Sequence, residues 1–206
     1  MTITIIGGGI IGLTTAFELT ERGENVHLID AETSDYGTAA DGTALYPAAS
    51  HYAGGMLAPI AEVQFQQDAL FPLMTASADA YPSLMERLSR ATDLPTGYDT
   101  TGTLIVAADR ADAEHLQRTR TYYRDMNRPA DPVTPTQART LEPLLAPRIA
   151  GAVSIPSDHQ LHPRFMRRAL KDALAHRGVT FTTERVTDPN AGDIICPGLG
   201  ATLPGA

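Results

Sequence analysis

The chain has 206 residues, with 16 Lys and Arg against 24 Asp and Glu, for a net charge of −8. Apolar residues make up 43% and charged residues 19%, an ordinary balance that excludes wholesale disorder. The acidity argues against a nucleic-acid partner, which needs clustered Lys and Arg. The single cysteine excludes an intrachain disulfide framework. No apolar run is long enough to span a membrane, and the start, Met-Thr-Ile-Thr-Ile-Ile, lacks a basic signal-peptide region. A cytoplasmic chain with no membrane partner is expected.

Thr2 to Ile6 is a short β-branched run ending on Gly7, the pattern of a buried parallel strand. From Ile10 to Arg22, apolar residues at Ile10, Leu13, Ala16 and Phe17 predict a helix with one buried stripe, stopped by Gly23. Asn25 to Asp30 predicts a second strand, completing a right-handed βαβ unit. Ala31 to Pro47 has no periodicity and reads as a long loop.

Gln64 to Arg90 is helical in pattern, with Pro72 and Pro82 expected to split or kink it. Thr101 to Ala107 predicts a strand and Asp109 to Met126 a polar-faced helix. Thr134, Pro135 and Gln137 form a capping signature for a helix to about Leu145. Gly151 to Ile155 predicts a strand. Pro163 to His176 predicts an amphipathic helix, with Phe165, Met166, Ala169, Leu170, Ala173 and Leu174 inward and Arg167, Arg168 and Lys171 toward solvent. Val179 to Thr183 and Asp193 to Cys196 are the last predicted strands.

The chemistry concentrates at Gly7-Gly8-Gly9-Ile10-Ile11-Gly12, a G-x-G-x-x-G between a strand and a helix. Gly7 permits the tight turn, Gly9 lets backbone approach a pyrophosphate, and Gly12 lets the helix pack on the strand. The pyrophosphate would meet N–H groups at the positive helix end. Asp30 ends the next strand, 18 residues after Gly12, where a carboxylate accepts both ribose hydroxyls. These features suit FAD and NAD equally, so an NAD-dependent dehydrogenase module stands as an alternative.

Other residues have plainer readings. His51 reads as a loop residue packed at the domain surface. His159 and His162 lack the further ligands a metal would need, so no metal site is expected. His162 is expected at a helix cap before Pro163. Cys196 reads as an inert core thiol, and Tyr122 and Tyr123 as packing residues.

Ala48-Ala-Ser-His-Tyr-Ala-Gly-Gly-Met-Leu-Ala-Pro59 is small and glycine-containing, then apolar. Together with the N-terminal loop it resembles the D-amino-acid oxidase superfamily of FAD-dependent oxidoreductases, nearest to its glycine oxidase (ThiO) branch. Thr101–Ala107, Asp158-His-Gln-Leu-His-Pro163 and Asp193-Ile-Ile-Cys-Pro-Gly198 resemble later stretches of that family. The resemblance implies an α/β fold: a Rossmann-type FAD-binding domain with part of an inserted mixed α+β substrate domain. It places 1–92 and 147–206 in the FAD-binding domain and 93–146 in the first part of the substrate domain.

By position, the resemblance implies that Gly7, Gly9, Ile11 and Gly12 cradle the FAD pyrophosphate and Asp30 holds the adenosine ribose. Ala49, Ser50, Ala53, Gly54, Gly55 and Met56 would line the phosphates, ribityl chain and isoalloxazine. Val186 matches the residue whose backbone touches adenine, and Gly198 the glycine turn near the cofactor. The implied reaction is oxidation of glycine or a small amino acid or amine by dioxygen, giving oxo acid, ammonia and hydrogen peroxide, in thiamine biosynthesis. Homo-oligomers are common in the family. Its substrate-binding Arg and Tyr lie C-terminal to anything here, so no catalytic residue is assigned. The chain is expected to be the N-terminal half of such an oxidase, or a truncated non-catalytic fragment of one.

Overall fold

The computed structural model describes residues 1–31, 37–38, 44–45, 49–63, 69–128, 130–188 and 190–198. The elements open with β1 (Thr2–Ile6), α1 (Ile10–Glu21) and β2 (Asn25–Asp30), matching the expected βαβ unit. The short pair β3 (Gly37–Thr38) and β4 (Ala44–Leu45) follows, antiparallel. Next come α2 (Ala49–Tyr52), β5 (Met56–Leu57) and α3 (Phe71–Ser89). The middle holds β6 (Thr103–Ala107), α4 (Arg110–Asp125), β7 (Asp131–Val133), α5 (Pro135–Leu141), β8 (Gly151–Ile155) and β9 (His159–Gln160). The last are α6 (Pro163–His176), β10 (Thr180–Thr183) and β11 (Ile194–Ile195).

Two compact units form: residues 1–55, 83–97 and 162–206, and residues 56–82 with 98–161. This grouping differs from the sequence division, since 56–82 and 147–161 fall in the second unit. In the first unit, β10-β2-β1-β11 make a parallel sheet. Ile5, Val26 and Leu28 are buried from this sheet, Leu13, Ala16 and Phe17 from α1, and Met166, Leu170 and Leu174 from α6. The second unit has an antiparallel sheet, β6-β8-β7, and a β5-β9 pair. Its core gathers Ile60, Phe71, Ala107, Leu116, Tyr123, Val153 and Ile155. Tyr122 packs against this core and Tyr123 lies within it.

Several expectations are corrected. Helix α3 is not split: Pro72 sits in its first turn, where the missing N–H has no helical partner to lose, and Pro82 lies inside a continuous run. The part of the expected helix at 64–68 lies outside the described residues. Phe71 and Thr75, four apart, form the buried face of its first turns, leaving Leu73 exposed. Helix α5 stops at Leu141 rather than Leu145, because Pro143 drives Glu142 into extended backbone. His51 is not at the surface but buried, in α2.

Candidate cofactor site

The glycine segment joins β1 to α1 as the spacing predicts. Gly7 has φ +107°, a conformation closed to most side chains, and its N–H bonds the Ile29 carbonyl at 2.8 Å. A Cβ on Gly7 would fall well inside 3.0 Å of the Cys196 carbonyl oxygen, at the end of β11. A Cβ on Gly12 would strike the Gly7 carbonyl oxygen just as hard. These two glycines are therefore required by backbone packed against backbone. Cys196 bonds Ile6 through its N–H at 2.7 Å, which fixes that carbonyl in place. Cys196 is only partly buried rather than the core thiol expected, and that burial pushes its thiol pKa up.

Gly9 is the N-cap of α1, in extended backbone, and has no side chain to cap the helix. The first turn of α1 carries no acidic residue. An uncapped helix start exposes N–H donors and the positive dipole end, which is an anion seat. Ile11, the second residue of α1, is 69% exposed. Asp30 ends β2, half-buried, and its carboxylate fills the space that a Gly8 Cβ would need. The Asp30 carbonyl also accepts from Glu184 N–H at 3.0 Å, tying the β2 end to the chain after β10. Val186 lies half-buried just beyond.

Ala49 and Ser50 lie in α2. The Ser50 hydroxyl is buried and has no hydrogen-bond partner among the described residues. Ala53 and Gly54 are exposed, and a Cβ on Gly54 would meet open space. Gly55 (φ +91°) and Gly198 (φ +64°) are glycines for backbone conformation. Gly198 also has open space beside it. Met56 begins β5 and falls in the second unit, while the other candidate residues belong to the first.

Sequence reasoning missed Arg167. It was expected on the solvated face of α6, but it is 1% exposed, and its Nη2 donates to the Gly8 carbonyl at 3.3 Å. The signal was available: Arg167 lies three and seven residues before the inward Leu170 and Leu174, on their face of the helix. His162 caps α6 as expected, with Nδ1 accepting from Phe165 N–H at 3.4 Å. Phe165 is not inward but stacks on the His162 ring, with centroids 4.0 Å apart. In the second unit His159 pairs with the Tyr98 hydroxyl at 2.7 Å. Asp158 there is wholly buried and accepts from Ile60 N–H at 3.2 Å and Ala61 N–H at 2.9 Å.

Taken in chain order, the four strands of the parallel sheet lie side by side as 3-2-1-4. Its glycine turn leaves the carboxyl end of the central strand, where that order reverses. This is the crevice in which doubly wound sheets bind dinucleotides. The first unit is thus a Rossmann-type dinucleotide-binding domain. Residues 2–201 match the family model of DAO, the FAD dependent oxidoreductases, and the chain belongs to that family. Its cofactor is FAD.

Among known relatives, the chain is 33% identical over 177 residues to glycine oxidase of Geobacillus kaustophilus, covering 85% of this chain and 44% of that protein. It is 31% identical over 178 residues to the bifunctional protein ThiO/ThiG of Trichormus variabilis, covering 86% of this chain and 25% of that protein. The crystal structure of the Geobacillus glycine oxidase superposes with a TM-score of 0.75 at 30% identity, over 91% of this chain and 48% of that one. The chain thus spans less than half the length of these relatives. Among the described residues, no helix is long and apolar enough to cross a membrane.

Proposed function

We propose that the chain supplies the cofactor-binding part of a FAD-dependent amino-acid oxidase of the glycine oxidase type. The observation that carries this is the uncapped glycine start of α1 at the sheet's switch point, with Asp30 at the end of β2. Gly7, Gly9, Ile11 and Gly12 hold the diphosphate, and Asp30 accepts the ribose hydroxyls. Ala49, Ser50, Ala53, Gly54 and Gly55 line the ribityl and flavin end, with the buried Ser50 hydroxyl donating to it. Val186 and Gly198 border the adenine and flavin ends. FAD held there would supply two-electron redox chemistry between the amine-bearing carbon of the substrate and dioxygen. The substrate is glycine or a small amino acid or amine, which with dioxygen and water gives an oxo acid (an aldehyde from a simple amine), ammonia and hydrogen peroxide. The likeness to ThiO supports a place in thiamine biosynthesis, in the cytoplasm.

Purified chain should carry flavin, seen as visible absorbance and as FAD released on denaturation. Protein that neither holds nor rebinds FAD would overturn this reading. A second reading is favoured by the 44% share of the Geobacillus relative that the chain spans. In it, these residues bind FAD without completing a substrate site. A peroxide assay with glycine, sarcosine and D-alanine separates the two: flavin binding without turnover selects the second.

A further inference from the structure

Arg167 is the largest of the fully buried side chains, set on α6 among the buried Met166, Ala169 and Leu170. A buried guanidinium is costly to desolvate and is kept only where polar groups meet it. Packing alone therefore does not explain it. Its Nη2 reaches the carbonyl of Gly8, which is itself buried in the glycine turn.

The peptide bond from Gly8 to Gly9 is trans, as are all those described. In a planar trans peptide the C=O and the following N–H point in opposite directions. A guanidinium that draws the Gly8 carbonyl inward therefore turns the Gly9 N–H outward, at the open start of α1. Asp30 flanks the same glycine with its carboxylate. A diphosphate arriving here adds negative charge beside that acid, and a buried cation behind the loop offsets it.

We infer that Arg167 is a positioning residue for the cofactor diphosphate, orienting the Gly8–Gly9 peptide and placing positive charge behind the glycine turn. The inference rests on the reading of that turn as the FAD site. It acts on the diphosphate and not on the adenosine, and this makes it separable from a structural role.

The test is calorimetric titration of the 206-residue chain with ADP, adenosine and FAD. R167M should weaken ADP and FAD by about tenfold or more, with adenosine affinity unchanged, while the ligand-free protein melts at a lower temperature because the buried Gly8 carbonyl loses its donor. R167K, which keeps the charge, should recover most of the ADP affinity. If R167M does not fold, R167Q takes its place with the same selective loss expected. Equal losses for ADP and adenosine, or no loss for either, would overturn the inference and leave the FAD reading standing. A wild-type chain that binds neither ADP nor FAD would overturn both.

Discussion

Helix α1 of the first unit begins in the opposite way to α4 and α5 of the second, and to α6 of its own unit, which His162 caps. In the second unit, Asp109 caps α4 by accepting from Asp112 N–H, and Thr134 with Gln137 forms a complete capping box on α5. Asp158 does the same for a turn, taking the N–H groups of Ile60 and Ala61. In the first unit α1 begins on Gly9 with no side chain at its cap. Loose N–H groups are costly when buried, so a fold satisfies them with its own side chains where stability is the only demand. The bare start of α1 leaves such donors open at the position proposed for the diphosphate. Its neighbours Gly7 and Gly12 are the glycines that let backbone approach backbone.

The largest expected effect breaks that close approach. Gly12→Val puts a branched side chain against the Gly7 carbonyl oxygen, a backbone atom that cannot swing aside. The loss should be at least about 3 kcal/mol of unfolding free energy, read from the denaturant midpoint, with flavin lost from the purified protein. A variant that folds normally and keeps flavin would show the Gly7–Gly12 contact to be dispensable.

Next comes the second unit's own device. Asp158→Ala leaves two N–H groups without an acceptor, one of them on the buried Ile60, and should cost roughly 2–4 kcal/mol. Burial holds the Asp158 pKa above the ordinary carboxylate range, against the opposing pull of those two donors. A carboxyl raised on folding contributes fully below its unfolded pKa, and that contribution is lost as pH rises through the folded value. Thermal unfolding followed upward from about pH 4 should therefore show a falling contribution in the wild type. Asp158→Asn, which does not titrate, should lack that slope.

How far the sequence could be read follows from the same contrast. β1, α1, β2 and Asp30 were legible because each is declared by residues within a few positions: a β-branched run, a helical stripe, a terminal acid. The α5 capping box was legible for the same reason, and so were the limits of α6. The burial of Arg167 was marked by its spacing from Leu170 and Leu174 but overridden because a charged residue reads as solvated, and its acceptor Gly8, 159 residues away, is announced by nothing local. The bonds from Asp158 span 97 and 98 residues, and nothing local announces them. Strands as short as β7 and β9 exist only through their partners β8 and β5, so no periodicity could reveal them. The end of α5 was different: Pro143 marked it locally, and the apolar Leu144 and Leu145 drew the reading past it.

Removing a cap from the second unit tests the contrast more gently. Thr134→Ala deletes the hydroxyl that accepts from Gln137 N–H at 3.2 Å. Chemical denaturation should show a loss of about 1 kcal/mol, with flavin content unchanged. Cofactor loss of comparable size would mean that capping in this unit matters to the site after all.

The smallest effect on stability is the most direct exchange, adding to α1 what α5 already has. Gly9 holds φ −70° and ψ −179°, extended backbone that serine adopts without strain. Gly9→Ser places a hydroxyl at the N-cap, where it can accept an N–H of the first turn. Glycine is already a tolerable cap, so the ligand-free protein should gain only about a few tenths of a kcal/mol. The same hydroxyl competes for the donors that seat the diphosphate, and its Cβ stands where backbone must approach the ligand. FAD affinity should therefore fall while the melting temperature of the ligand-free chain rises slightly. The two readouts must move in opposite directions for the contrast to hold. If Gly9→Ser left both unchanged, the bare helix start would be an accident of sequence rather than a reserved site.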